Sequence, residues 1–151
     1  MNRRQALLGL FALPAVTGIA TAAAAPTVVV NKTPTCGCCG LWVKHLQAAG
    51  FEVEVHDLDN LAPIKERVGV PFGKGSCHTA EVDGYFVEGH VPASDIKRLL
   101  RERPKAKGLT VPGMPAGSPG MEVASGRVDL YDVLLVDEYG KTSVFATHGG
   151  K

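Results

Sequence analysis

The sequence predicts a single α/β domain, and three observations carry that expectation. Its 151 residues suffice for one domain and fall short of two of ordinary size. β-Branched runs alternate with stretches whose apolar residues recur at helical spacing. Eighteen Gly and ten Pro punctuate those stretches, and 45% hydrophobic with 21% charged residues suits a packed core rather than a disordered chain. Sixteen basic against fifteen acidic residues leave a formal charge of +1, so no bulk charge points to nucleic acid.

Met1 to Ala25 stands apart from that domain. Arg3 and Arg4 form a positive start, Ala6 to Ala20 is apolar, and Thr21 to Ala25 is rich in small residues. Ala22-Ala23-Ala24 supplies a cleavage site, preferred over Ala23-Ala24-Ala25 because Pro26 is a poor residue directly after a cut. Residues 1–25 are expected to be a bacterial-type signal peptide and 26–151 the working domain. Gly9, Pro14 and Gly18 inside the apolar run disfavour an uncleaved anchor, so no stable membrane insertion is expected after cleavage. Asn2-Arg3-Arg4-Gln5-Ala6-Leu7-Leu8 is similar to a twin-arginine signal but lacks the usual aromatic residue, which leaves the Sec and twin-arginine routes both open. Cleavage removes two basic residues and no acidic one, turning +1 into −1. The expected destination is the periplasm, where paired cysteines become disulfides unless a metal or a reductant holds them.

Along the remaining chain, Thr27 to Val30 reads as a strand that stops at Asn31-Lys32-Thr33-Pro34-Thr35. A helix is expected from about Cys38 to Ala49, because Leu41, Trp42, Leu46 and Ala49 share a face and Gly50 suits the stop. Phe51 to His56 alternates as a strand. Asp59 or Asn60 can cap a short helix through Val68, ended by Gly69-Val70-Pro71. Thr79 to Val82 and Tyr85 to Glu88 flank Asp83-Gly84, the two-residue turn of a hairpin. Pro92 opens a third helix to about Arg103, and Pro104 closes it. Gly108 to Gly126 is expected to be loop, and Tyr131 to Val136 with Thr142 to Thr147 an additional C-terminal β-hairpin. The order strand, helix, strand, helix, strand, strand, helix is that of a thioredoxin-like core, with strands one and two parallel across a right-handed crossover. Active groups in such a fold gather beyond the carboxyl ends of the parallel strands, where Cys36 to Cys39 fall.

Four Cys and five His in so short a chain are its unusual inventory. A cysteine at a helix N-terminus feels the positive end of the dipole, which stabilises thiolate. Cys36 and Cys39 have the redox spacing Cys-x-x-Cys, but Cys38 sits between them as a competing thiol. Cys77, just before the third strand, is expected to face the helix start, where thioredoxin-like folds otherwise place a peptide-holding cis-proline. Four converging thiols without that clamp suit a metal better than dithiol exchange. Crowded Cys-x-Cys-Cys favours sulfurs bridging several soft ions, as Cu(I) accepts, over the paired spacing of zinc sites. A thiol–disulfide oxidoreductase using Cys36 and Cys39, a zinc site, and structural disulfides stay open beside copper.

Lys32-Thr33-Pro34-Thr35-Cys36-Gly37-Cys38-Cys39, with Trp42, His45 and Leu46, resembles the start of the CopG-type periplasmic copper-resistance proteins. The resemblance continues through Gly69-Val70-Pro71, Ser76-Cys77-His78-Thr79, Gly84-Tyr85, Glu88-Gly89-His90-Val91-Pro92, Gly108-Leu109 and Val111 to Glu122. It implies a thioredoxin-like fold, a Cu(I) site whose thiolates bridge several ions, and a role in copper tolerance through Cu(I)/Cu(II) interconversion. Cys36, Cys38, Cys39 and Cys77 are then the expected copper ligands, completed by His78 and by Met114 or Met121. Partners would be copper ions and other periplasmic copper-handling or electron-transfer proteins. Metal binding is the primary expectation; the sequence establishes no catalytic residue.

The remaining candidates carry plainer expectations. His78 either turns in at a bend or sits outside the ligand set, since neighbours in an extended chain point to opposite faces. His90 is expected to be a satisfied or exposed histidine, His45 a core or supporting one, and His56 and His148 surface residues. Lys97, Arg98, Arg101, Arg103, Lys105 and Lys107 are expected to form a solvated face.

Overall fold

The computed structural model describes residues 26–150, and the expected signal peptide lies outside them. The elements run β1 (Val28–Lys32), α1 (Gly37–Ala48), β2 (Val53–Asp57), α2 (Ala62–Val68), β3 (His78–Val82), β4 (Tyr85–Glu88), α3 (Ala93–Glu102), β5 (Ala106–Thr110), β6 (Tyr131–Asp137) and β7 (Thr142–His148). All seven strands share one sheet in the order β2-β1-β3-β4-β5-β6-β7. β1 pairs with β2 in parallel and with β3 antiparallel, while β4 and β5 are parallel across α3. Among the described residues, no helix is long and apolar enough to cross a membrane.

One apolar core joins the sheet to two helices. Trp42, Val43 and Leu46 of α1 and Ile96 and Leu99 of α3 pack with Val28, Val30, Ala80, Val82, Val87, Leu109 and Val133. Full burial of each large side chain is worth about 1.5–3 kcal/mol. By contrast, α2 buries no residue. Its Lys65 and Arg67 reach Thr79, Glu81 and Glu88, strand positions alternating with the core residues, so α2 lies on the opposite face. Asn60 accepts the Ala62 amide at 2.9 Å, and Gly69 ends that helix in the left-handed region.

The stretch expected to be loop from Gly108 begins inside β5. Gly108 sits opposite Phe86 in the parallel β4–β5 ladder, where an added Cβ would overlap the Phe86 carbonyl. The glycine that reads as a loop signal marks a close approach of two strands. Through β5, the antiparallel pair β6–β7 is continuous with the main sheet. Phe145 falls at an irregularity in β7, and its carbonyl accepts from Arg98 at 2.9 Å, which covers part of that sheet edge.

Candidate metal centre

β1 ends at Lys32, and the chain turns through Thr33–Thr35, with the Cys36 amide donating to the Thr33 carbonyl at 3.1 Å. Cys36 is thereby the extended cap residue of α1, which places Cys38 and Cys39 in its first turn. No side-chain hydrogen bond caps that end. The positive end of the helix is left to the sulfurs. From the sheet side, Lys32 pairs with His78, so Cys77 lies just beyond the β1–β3 ladder, facing α1. The four sulfurs all lie within 4.8 Å of one another. Cys38 Sγ is 3.5 Å from Cys36 Sγ and 3.9 Å from Cys77 Sγ, and Cys39 Sγ is 3.7 Å from the Cys77 carbonyl.

Cys36 and Cys39 are joined by a disulfide, leaving Cys38 and Cys77 as free thiols. A disulfide sulfur carries no thiolate charge, so two electrons must open this bridge before all four sulfurs can donate to a metal. Burial, with Cys38 beside it, pushes the Cys77 thiol up to about 11.

Two imidazoles complete the group around Cys77. His78 Nδ1 lies 3.4 Å from its sulfur and His90 Nε2 lies 3.1 Å from it. Both rings are buried and meet edge to face, and His78 also packs on Trp42 at 4.3 Å between centroids. His90 Nδ1 donates to the Pro119 carbonyl at 2.8 Å, which turns the Nε2 lone pair toward the sulfur. Burial lowers the His90 imidazole below its ordinary value. Burial, then His90 and Lys65, takes His78 down to about 3, so it is neutral at physiological pH. Its Nε2 is the one buried side-chain nitrogen or oxygen among the described residues without a hydrogen-bond partner.

Cys36, Cys38, Cys39, Cys77 and His78 therefore come together. The alternation that left His78 undecided does not apply, because Cys77 precedes the strand. The methionines are placed differently. Met114 is 53% exposed in a loop tied to the Cys77 segment by Gly113, whose amide donates to the Gly75 carbonyl at 3.4 Å. Met121 is half-buried and follows Gly120, which packs against the Cys38 carbonyl and Trp42 amide.

His90, expected from the sequence to be a satisfied or exposed histidine, is buried with its Nε2 against the Cys77 sulfur. The signal was present: a two-residue turn pairs Val82 with Tyr85, and stepping outward along that register brings Cys77 opposite His90. His45 instead accepts the Ala93 amide at 3.0 Å, supporting the start of α3. His56 pairs with Glu54 at 2.7 Å on the surface, and His148 pairs with Asp95 at 2.6 Å. Much of the basic run is held by internal contacts: Lys97 donates to the Ala49 carbonyl, Arg98 pairs with Glu102, and Arg103 pairs with Asp83.

A family model described as a protein of unknown function, DUF411, matches residues 74–121, the stretch holding Cys77, His78, His90, Met114 and Met121. No curated protein sequence matches the chain. Two solved structures, forms 2 and 1 of copper resistance protein CopG, are each 48% identical with a TM-score of 0.78. They cover 82% and 83% of this chain and 98% and 99% of their own. With nearly half of the residues identical over almost the full length of those structures, the chain belongs to the CopG family of copper resistance proteins.

Proposed function

We propose that residues 26–151 form a periplasmic copper-binding domain with a thioredoxin-like core, released from a signal peptide at 1–25 and contributing to copper resistance. The convergence of four sulfurs within 4.8 Å carries this conclusion. Strand order β2-β1-β3-β4, with β1 and β2 parallel, supports the thioredoxin-like core. Once the Cys36–Cys39 bridge is reduced, Cys36, Cys38, Cys39 and Cys77 offer soft thiolates, and His78 offers a neutral imidazole whose Nδ1 lies 3.4 Å from the Cys77 sulfur. Cys77 belongs both to the four-sulfur group and to the group with His78 and His90, as suits a bridging donor. Met121, next to the Gly120 contact with α1, and Met114, next to the Gly113 contact with the Cys77 segment, are the thioethers available to complete the set. Cu(I) fits these donors better than zinc, and bound copper would supply one-electron exchange with Cu(II). Electron-transfer or copper-handling proteins of the periplasm are the fitting partners.

Cys77→Ser is expected to lower the copper retained by reduced protein, whereas His148→Ala leaves it unchanged. Equal loss from both variants, measured by elemental analysis after gel filtration, would count against a convergent site. The Cys36–Cys39 disulfide itself favours a second function, thiol–disulfide exchange. That function requires insulin reduction to survive replacement of Cys38 and Cys77 by Ser; loss of turnover in those variants removes it.

A further inference from the structure

The segment carrying Cys77 lies outside the β3 ladder, so other groups must hold its backbone. Thr110 Oγ1 donates to the Lys74 carbonyl at 2.6 Å, and Ser76 Oγ donates to the Gly113 carbonyl at 2.5 Å. A buried carboxylate adds a further hold. Glu88, the last residue of β4, is fully buried on the face opposite the main core. Its Oε1 accepts the Ser76 amide at 2.6 Å and also the Lys65 ammonium, and its Oε2 accepts the Thr79 hydroxyl at 2.6 Å. Lys65 Nζ donates to Thr79 Oγ1 as well, at 2.9 Å.

This network does something that general stabilisation does not require. A buried ion pair is a weak source of stability compared with apolar packing of the same volume. Here α2 places no side chain in the core, yet it delivers Lys65 to a carboxylate whose other oxygen and backbone partner lie beside the thiol segment. The Ser76 amide lies one residue before Cys77, so this bond anchors the backbone next to the residue from which the sulfur projects.

We propose that Glu88, with Lys65 as its counter-ion, is a positioning residue for Cys77: through the Ser76 amide it holds that sulfur against Cys38 and His90. This rests on the copper-binding function above. Glu88→Gln keeps the side chain's shape but removes the charge that Lys65 and the Ser76 amide share at Oε1, and it sets an NH2 donor against either that pair or the Thr79 hydroxyl. Asp95→Asn is the control, because that buried carboxylate pairs with His148 instead.

Two readouts are taken on the full mature chain: alkylation of Cys77 in reduced, metal-free protein, followed by mass spectrometry, and Cu(I) affinity by chelator competition. Glu88→Gln is expected to speed Cys77 alkylation about tenfold, the scale of one charge-assisted hydrogen bond. It should also weaken Cu(I) binding about 10- to 100-fold, as loss of an outer partner of a metal ligand does. Asp95→Asn should lower the melting temperature and leave both readouts at the wild-type value, and Lys65→Arg should retain both. If Glu88→Gln does not fold, Glu88→Asp carries the same test, because the shorter side chain draws the carboxylate back from the Ser76 amide. Unchanged alkylation and affinity in a Glu88 variant that has lost stability overturns the proposal and leaves the pair a purely structural one. Should wild-type protein itself fail to bind Cu(I), the copper function falls, while the alkylation comparison still decides whether Glu88 positions Cys77.

Discussion

Cys77 is the residue on which the site turns, with Cys38 Sγ at 3.9 Å on one side and His90 Nε2 at 3.1 Å on the other. Because His90 Nδ1–H donates to the Pro119 carbonyl, the nitrogen facing Cys77 is free to donate an electron pair. His90→Ala is therefore expected to weaken Cu(I) binding about 10- to 100-fold in a chelator competition. An unchanged affinity would leave His90 as a packing residue. The cysteines were legible in sequence because a helix start and a strand start are local features, and each thiol falls on one. His90 was not singled out, since its importance comes from pairing across a hairpin and not from its neighbours. Nothing local to Met114 or Met121 marks either side chain's direction, because both lie in aperiodic chain.

At the scale of elements, α1 and the loop that follows β5 meet at Gly120. Its φ of +86° lies in the left-handed region, and an added Cβ would sit 2.8 Å from both the Cys38 carbonyl and the Trp42 amide. Gly120→Ala should lift this loop from the helix start and loosen the Pro119 contact to His90. The expected signs are a lower melting temperature and faster amide exchange at Trp42; exchange there as slow as wild type would show that the loop is not seated on the helix. Most elements were readable because their periodicities and stops are local: Gly50 and Gly69 mark helix ends, and Asp83-Gly84 marks a turn. β5 was hidden because its central Gly108 reads as loop, while its reason for being glycine is the Phe86 carbonyl on another strand. The Lys65–Glu88 pair was hidden in the same way, since it joins α2 to β4 across the sheet.

For the whole molecule, the sheet continues past α3 through β6 and β7, and Tyr131 at the start of β6 stacks on His148. Burial, with Asp95 nearby, pushes the Tyr131 phenol from 10.0 up to about 12. The folded protein keeps that proton while the unfolded chain releases it, so this contribution to stability is full below pH 10 and is lost as pH rises toward 12. Tyr131→Phe should flatten that part of the alkaline decline in urea midpoint; an identical decline would assign it to other groups. The same fold brings a disulfide, two free thiols and two neutral imidazoles to one end of α1, and its oxidation state decides which of them can hold a metal. The most direct test is to express the full 151-residue chain in copper-supplemented cells, recover the protein without oxygen, and measure bound metal and free thiols on one sample. More than one copper per chain, with the thiols protected from alkylation, is the predicted result. Metal-free protein carrying an oxidised Cys36–Cys39 pair would contradict copper binding and assign the site to thiol exchange.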